Sequence, residues 1–168
     1  MDFISHILIG KIISSYKEKK SQFWAMFFSF LPDLSLIPFY LILGFENNRV
    51  LFFPYNQDWA GTSISHYFLS SLYFLQHSFL FALIFVLPII LYFRLPKIAF
   101  FAYLLHILID IPTHTGEWAI KIFYPFNYAV NGFTDAWAWP FFMMFVLWVI
   151  LSFAIVSLGF VKKKIECN

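Results

Sequence analysis

From Ala136 to Val161 the chain runs 26 residues without one charged side chain. About 18 or more such residues suffice for a helix to cross a bilayer. Four further apolar segments precede it: Phe3 to Tyr16, Phe23 to Phe45, Tyr67 to Phe93 and Ile98 to Ile111. In a chain of 168 residues they leave little else. Only 12% of residues are charged and 61% are hydrophobic, against about 25% and 45–50% in soluble domains. So little charge cannot cover a soluble surface, and so much apolar surface excludes disorder. The sequence predicts an all-α polytopic membrane protein. It forms one domain over residues 1–168, with about five membrane-embedded helices.

The breaks between segments carry the charge. Lys17, Lys19 and Lys20 follow the first, Arg94 and Lys97 follow the third, and Lys162–Lys164 follow the fifth. Pro32-Asp33 and Pro38 interrupt the second, and Pro112 closes the fourth. The loop 46–65 balances Arg49 against Glu46 and Asp58, and the loop 113–134 balances Lys121 against Glu117. With five crossings the three basic clusters share one side, which the positive-inside rule makes cytoplasmic. The expected orientation is N-terminus out and C-terminus in. No basic n-region or cleavage site follows Met1, so no signal peptide is expected and His6 is retained. The basic clusters suit membrane edges, not a nucleic-acid face. Cys167 is the only cysteine, so no disulfide or cysteine-based zinc site is expected.

Ionisable groups inside apolar segments are costly, and they usually face a bundle interior or an ion. Here they are His6, Asp33, His77, His106 and Asp110, with His114 just past Pro112. Counted from the nearest basic cluster, the first five lie roughly 14 to 25 Å up their helices, at about 1.5 Å per residue. Four segments thus bring His or Asp to one depth, in the outer half of a core about 30 Å thick. A shared site requires such a coincidence. His106 and Asp110, at i and i+4, share a helix face and can reach one ion. Gly10, four residues after His6, lets the first helix approach closely. Pro112 is expected to turn the chain before His114 joins that face, placing it at the rim or at a neighbouring metal.

A donor set of imidazole and carboxylate without thiolate suits zinc, with manganese or iron as alternatives. A proton relay, an ion path or a structural His–Asp network would use the same residues. Trp24, Trp59, Trp118, Trp137 and Trp139 are expected in interfacial belts. His66 is expected at the outer boundary, and Asp135 as a helix cap. Glu117 is a further acidic group near the site. Neither a Gly-x-Ser-x-Gly elbow nor a phosphate-binding glycine loop is present.

The stretches Met-Asp-Phe-Ile-Ser-His6 with Gly10, Leu31-Pro32-Asp33-Leu34, Leu72-Tyr73 with His77-Ser78, and His106-Ile-Leu-Ile-Asp110-Ile-Pro-Thr-His114 come in a characteristic order. With Tyr124-Pro125 and Asn131-Gly132, they resemble the bacterial membrane-bound metal-dependent hydrolases, also called LexA-binding inner-membrane-associated hydrolases. The resemblance covers roughly residues 1 to 135. Ser35 stands where many members carry a second Asp, and Gln76 where members often carry Thr. The order His6, Asp33, His77, His106, Asp110, His114 is also similar to that of the zinc-dependent phospholipases C. That likeness implies one zinc on Asp33, His77, His106 and Asp110. It implies a second zinc that His6 and Asp110 help to hold, with Asp110 bridging. The later His-x-x-x-Glu of those enzymes is absent, and Glu117 is the available stand-in.

These features lead to the expectation of a metal-dependent hydrolase in the bacterial inner membrane. Its substrate would be an ester, foremost a phosphoester of a membrane lipid or lipid-linked molecule. The six residues would act as metal ligands, and Asp33 would also orient water or accept its proton. A metal-ion or proton transporter and a non-catalytic membrane scaffold are the alternatives. No motif for a protein partner is legible.

Overall fold

A computed structural model describes residues 2–49 and 67–166. His66 and Trp59, most of the 46–65 loop and Cys167 lie outside the described residues. The fold is helical, with no strand among the described residues and one isolated bridge, Ile120 to Val130. Asp2 caps α1 (Phe3–Ile13) by accepting from the Ser5 backbone N–H at 3.0 Å. α2 (Lys19–Phe30) returns antiparallel to α1. Ser29 Oγ donates to the His6 carbonyl at 2.6 Å, and Lys11 Nζ donates to Gln22 Oε1 further down the pair. A 3-10 turn, Leu31–Ser35, leads into α3 (Leu36–Glu46). The expected break at Pro32 is present, but Pro38 breaks nothing. It sits in the first turn of α3, where a backbone N–H would have no helical partner.

The third apolar run is not one helix. α4 (Tyr67–Gln76) and α5 (Phe79–Tyr92) meet at a 63° bend. Ser78 makes the corner: its Oγ accepts from the Leu80 N–H at 3.2 Å and donates to the Tyr124 carbonyl at 3.1 Å. The Phe79 N–H donates to the Ile122 carbonyl at 2.8 Å, so the loop after α6 sets the bend. α6 (Lys97–Thr113) runs through Pro112 rather than ending before it. The loop supplies partners at that end. Gly132 N–H donates to the His114 carbonyl at 2.8 Å, and Phe133 N–H to the Pro112 carbonyl at 3.1 Å. A Cβ on Gly132 would lie 2.5 Å from the Pro112 oxygen, so this approach requires glycine. α7 (Phe141–Glu166) begins after Pro140 and continues through the lysines expected to stop it. Lys163 and Lys164 lie in its last turn, where cations complement the helix dipole.

α2 packs against both α1 and α6, which also touch each other, and α7 packs against α1. The His106 ring meets the Ser29 carbonyl, and Asp110 meets the partners of Asp33 one turn on. α2 and α6 therefore run parallel, which puts Lys19, Lys20 and Lys97 at one end of the bundle. An apolar core including Tyr73, Ile90 and Ile107 surrounds an unusual set of buried ionisable groups. The interior holds His6, Asp33, His77, His106, Asp110 and His114, while Phe141, Phe142, Phe153 and Phe160 are among many apolar side chains facing outward.

Two helical stretches are long and apolar enough to cross a membrane, Lys19–Glu46 and Phe141–Ile165. The bent pair α4–α5 makes a third if it counts as one span. That is fewer than the expected five. α1 has only 11 residues, because the chain turns at Ser14 before the basic run. α6 has 17, about 26 Å at the helical rise.

α7 is fastened to α1 by Trp148, whose Nε1–H reaches Asp2 Oδ1 at 2.9 Å and Ser5 Oγ at 3.1 Å. Trp148→Phe should cost about 1–2 kcal/mol for the pair of bonds. Limited proteolysis of the purified protein should then release α7 sooner while the other helices stay protected.

Candidate metal centre

Three local features aim the cluster. The 3-10 turn after Phe30 presents Asp33 inward. The corner after Gln76 places His77 at the end of α4, and α6 presents His106 and Asp110 one turn apart. Among the described residues, Asp33, His77, His106 and Asp110 each offer a ligand atom within 4.8 Å of the others, and all four are buried.

Two backbone carbonyls settle the tautomers. His77 Nδ1 lies 2.8 Å from the Tyr73 carbonyl, and His106 Nδ1 lies 2.7 Å from the Ser29 carbonyl. A carbonyl can only accept, so each Nδ1 carries the proton. In a neutral ring each Nε2 is then left with a lone pair, and the two Nε2 atoms face each other at 3.0 Å. Carboxylate oxygens close around them. Asp110 Oδ2 is 3.0 Å from His106 Nε2 and 3.4 Å from His77 Nε2, and Asp33 Oδ1 is 3.6 Å from both. With both rings neutral, four lone-pair atoms converge here, an arrangement that a cation among them would stabilise. The spacing fits one: donors at 2.0–2.1 Å from a tetrahedral ion stand about 3.3–3.4 Å apart. Carbonyls that hold the far ring nitrogen are the usual outer support of a metal-binding histidine.

His6 and His114 join the assembly through the other oxygen of Asp110. His6 Nε2–H donates to Asp110 Oδ1 at 3.0 Å, and the His6 ring stacks on His106 with centroids 3.6 Å apart. His6 Nδ1 is buried and has no hydrogen-bond partner. His114 turns back despite Pro112. Its Nδ1–H donates to the Asp110 carbonyl at 2.9 Å and lies 3.8 Å from Asp110 Oδ1. The structure thus collects four of the six expected ligands at one point and sets His6 and His114 beside it. Glu117 is exposed in a 3-10 turn after α6, away from the four. Ser35 is buried one residue past Leu34, its hydroxyl without a partner.

Comparison with protein-family models, with curated proteins and with solved structures returned no match. The likeness to the membrane-bound hydrolases therefore stands on the motif residues alone.

Three contributions were not legible as site residues. Tyr73 is fully buried, its ring 4.1 Å from that of His77 and its hydroxyl without a partner. Its place four residues before His77 is the signal that points to it. Ser29 orients His106 through its carbonyl and holds α1 through its hydroxyl. Trp118 and Trp137, expected in interfacial belts, pack inward on the cluster. Their rings lie 5.6 Å apart and cover Tyr73 and His114, because the loop after α6 folds back over the cluster. Asp135 does cap the turn Ala136–Ala138, accepting from the Trp137 N–H at 3.0 Å.

Proposed function

We propose that this chain is a membrane-embedded, metal-dependent hydrolase of a phosphoester or other ester, carried on a lipid or lipid-linked molecule. The observation that carries this reading is the all-acceptor cluster of His77, His106, Asp33 and Asp110, with both histidines locked by carbonyls. Zinc is the preferred ion, with manganese or iron as alternatives, and when bound it supplies Lewis acidity and a water acidified towards neutral pH.

The chain's own groups supply the rest. Asp33 Oδ2 is buried without a hydrogen-bond partner, so it is placed to take the proton of an attacking water. His6 fixes the far oxygen of Asp110 and holds that carboxylate in one orientation, while His114 holds the Asp110 backbone carbonyl. Trp118 and Trp137 exclude bulk water, which strengthens each of these interactions.

The polytopic arrangement belongs to the same proposal. α2–α3, the bent pair, α6 and α7 cross the bacterial inner membrane, and α1 is half-inserted. The basic end faces the cytoplasm, and the cluster opens to the outer half. The test is hydrolysis of a panel of lipid phosphoesters by purified protein, with and without chelator. Activity should disappear on chelation, return with zinc or manganese, and fall at least about a hundredfold in Asp33→Asn. Chelator-insensitive turnover, or undiminished Asp33→Asn activity, would overturn it.

One observation favours a second reading. Protons can also fill a cluster of acceptors, as in a proton relay of a transporter. Between the basic end and the cluster, however, Ser14, Ser21 and Ser29 are the buried polar side chains of α1 and α2. A conducting path would need more. Metal analysis, taken up below, separates the two.

A further inference from the structure

A groove of about 650 Å³ lies between α2 and α5. Its volume falls within the about 300–1,000 Å³ typical of small-molecule sites. Trp24, Phe28 and Leu31 form one wall, spaced as a stripe along α2. Phe81, Phe85 and Ile89 form the other, spaced by four along α5. Lys20 marks one end at the basic side of the bundle, and Gln76 marks the other. Leu31 is two residues from Asp33 and Gln76 is one from His77, so the groove ends beside the metal cluster. From Lys20 to Leu31 is eleven residues, about 16 Å of helix.

The Gln76 end is chemically distinct. Its Oε1 is buried and has no hydrogen-bond partner. A buried amide oxygen without a partner is costly, and it calls for a hydrogen-bond donor at that end. The backbone carbonyl of Gln76 is already used by the Tyr103 hydroxyl at 2.5 Å, so the residue is fixed in place. An occupant must therefore be apolar along about 16 Å and polar at the tip nearest the cluster.

We propose that the groove binds the hydrocarbon chain of an amphiphilic phosphoester, with its polar head at the Gln76 end beside the His/Asp cluster. This rests on the hydrolase reading for the identity of the head, while the groove itself is tested without turnover. The chain packs against the two aromatic stripes, and Gln76 Oε1 accepts from a hydroxyl of the head.

The probe is hexadecyl phosphate bearing a diazirine near the end of its chain, cross-linked to the detergent-purified protein and mapped by mass spectrometry. Adducts are expected on Trp24–Phe28 and Phe85–Ile89. Unlabelled hexadecyl phosphate should compete them at least fivefold, and butyl phosphate should not. Ile89→Trp, at a half-exposed position that tolerates a larger ring, should reduce them at least fivefold. Adducts spread over the outward face of α7 as densely as over the groove, or insensitive to the competitor, would overturn the proposal. The read-out needs neither metal nor turnover. A failed hydrolysis assay with intact labelling would sink only the catalytic reading, and failed labelling with a bound metal would sink only the groove.

Discussion

Purified wild-type protein supplied with zinc should retain about one equivalent or more of metal, and His106→Ala/Asp110→Ala should retain at most roughly a tenth of that. The double variant removes two of the four donors, and with Asp110 it also removes the carboxylate that His6 holds. Elemental analysis after gel filtration reads this directly. His6→Ala should behave differently. It leaves the four donors in place and removes one outer hydrogen bond, so affinity should fall about 10–100-fold without disappearing. The same binding should appear as stability. Zinc at about a thousand times its dissociation constant adds roughly 4 kcal/mol to the native state, and chelation removes it. The double variant should melt at one temperature with or without chelator. If the wild type takes up no transition metal after reconstitution, the acceptors are satisfied by protons and the relay reading replaces the hydrolase.

Gly10→Val should damage both stability and metal binding, although Gly10 touches no ligand. A Cβ there would lie 2.8 Å from the Ala25 carbonyl oxygen, 2.9 Å from Ser29 Cβ and 3.0 Å from Met26 Cα. Two of those three atoms are backbone and cannot swing aside, so α1 must move away from α2. Overpacking of this kind costs about 1–3 kcal/mol, and more where backbone resists. The displacement also pulls on Ser29, whose hydroxyl holds the His6 carbonyl and whose own carbonyl orients His106. Thermal unfolding and zinc titration should therefore both shift. Gly159→Val is the control, because nothing lies within 4 Å of a Cβ at that position in α7. A Gly10→Val protein as stable and as metal-competent as Gly159→Val would show that close α1–α2 contact is dispensable.

Much of the site was legible because membrane cost makes ionisable residues conspicuous. In a chain with 12% charge, His6, Asp33, His77, His106 and Asp110 stand out against their apolar neighbours. Helical rise then puts them at one depth with no tertiary information. Gly10 was legible for a similar reason, since a glycine one turn from a buried histidine marks a close approach. The helical class followed from the length of the uncharged runs, because hydrocarbon leaves the backbone no partner but itself.

Other features depend on contacts from distant segments. The 63° corner at His77-Ser78 is invisible in the run Tyr67 to Phe93, because its partners are the carbonyls of Ile122 and Tyr124. Pro112 reads as a helix end, yet α6 passes it because residues 132 and 133 satisfy the carbonyls there. Trp118 and Trp137 read as belt residues until the loop returns them to the cluster. The division between ligand and support was also beyond sequence. His6 carries the same imidazole as His77 and His106, and only the fold decides that its Nε2 meets the Asp110 carboxylate while their Nδ1 atoms meet carbonyls. Residue chemistry and helical spacing are local, so the sequence alone determined which ionisable groups stand within apolar segments and how far along each helix they lie. Orientation of a side chain is set by whatever packs against it, so only the tertiary structure decided that four of these groups face one another as acceptors.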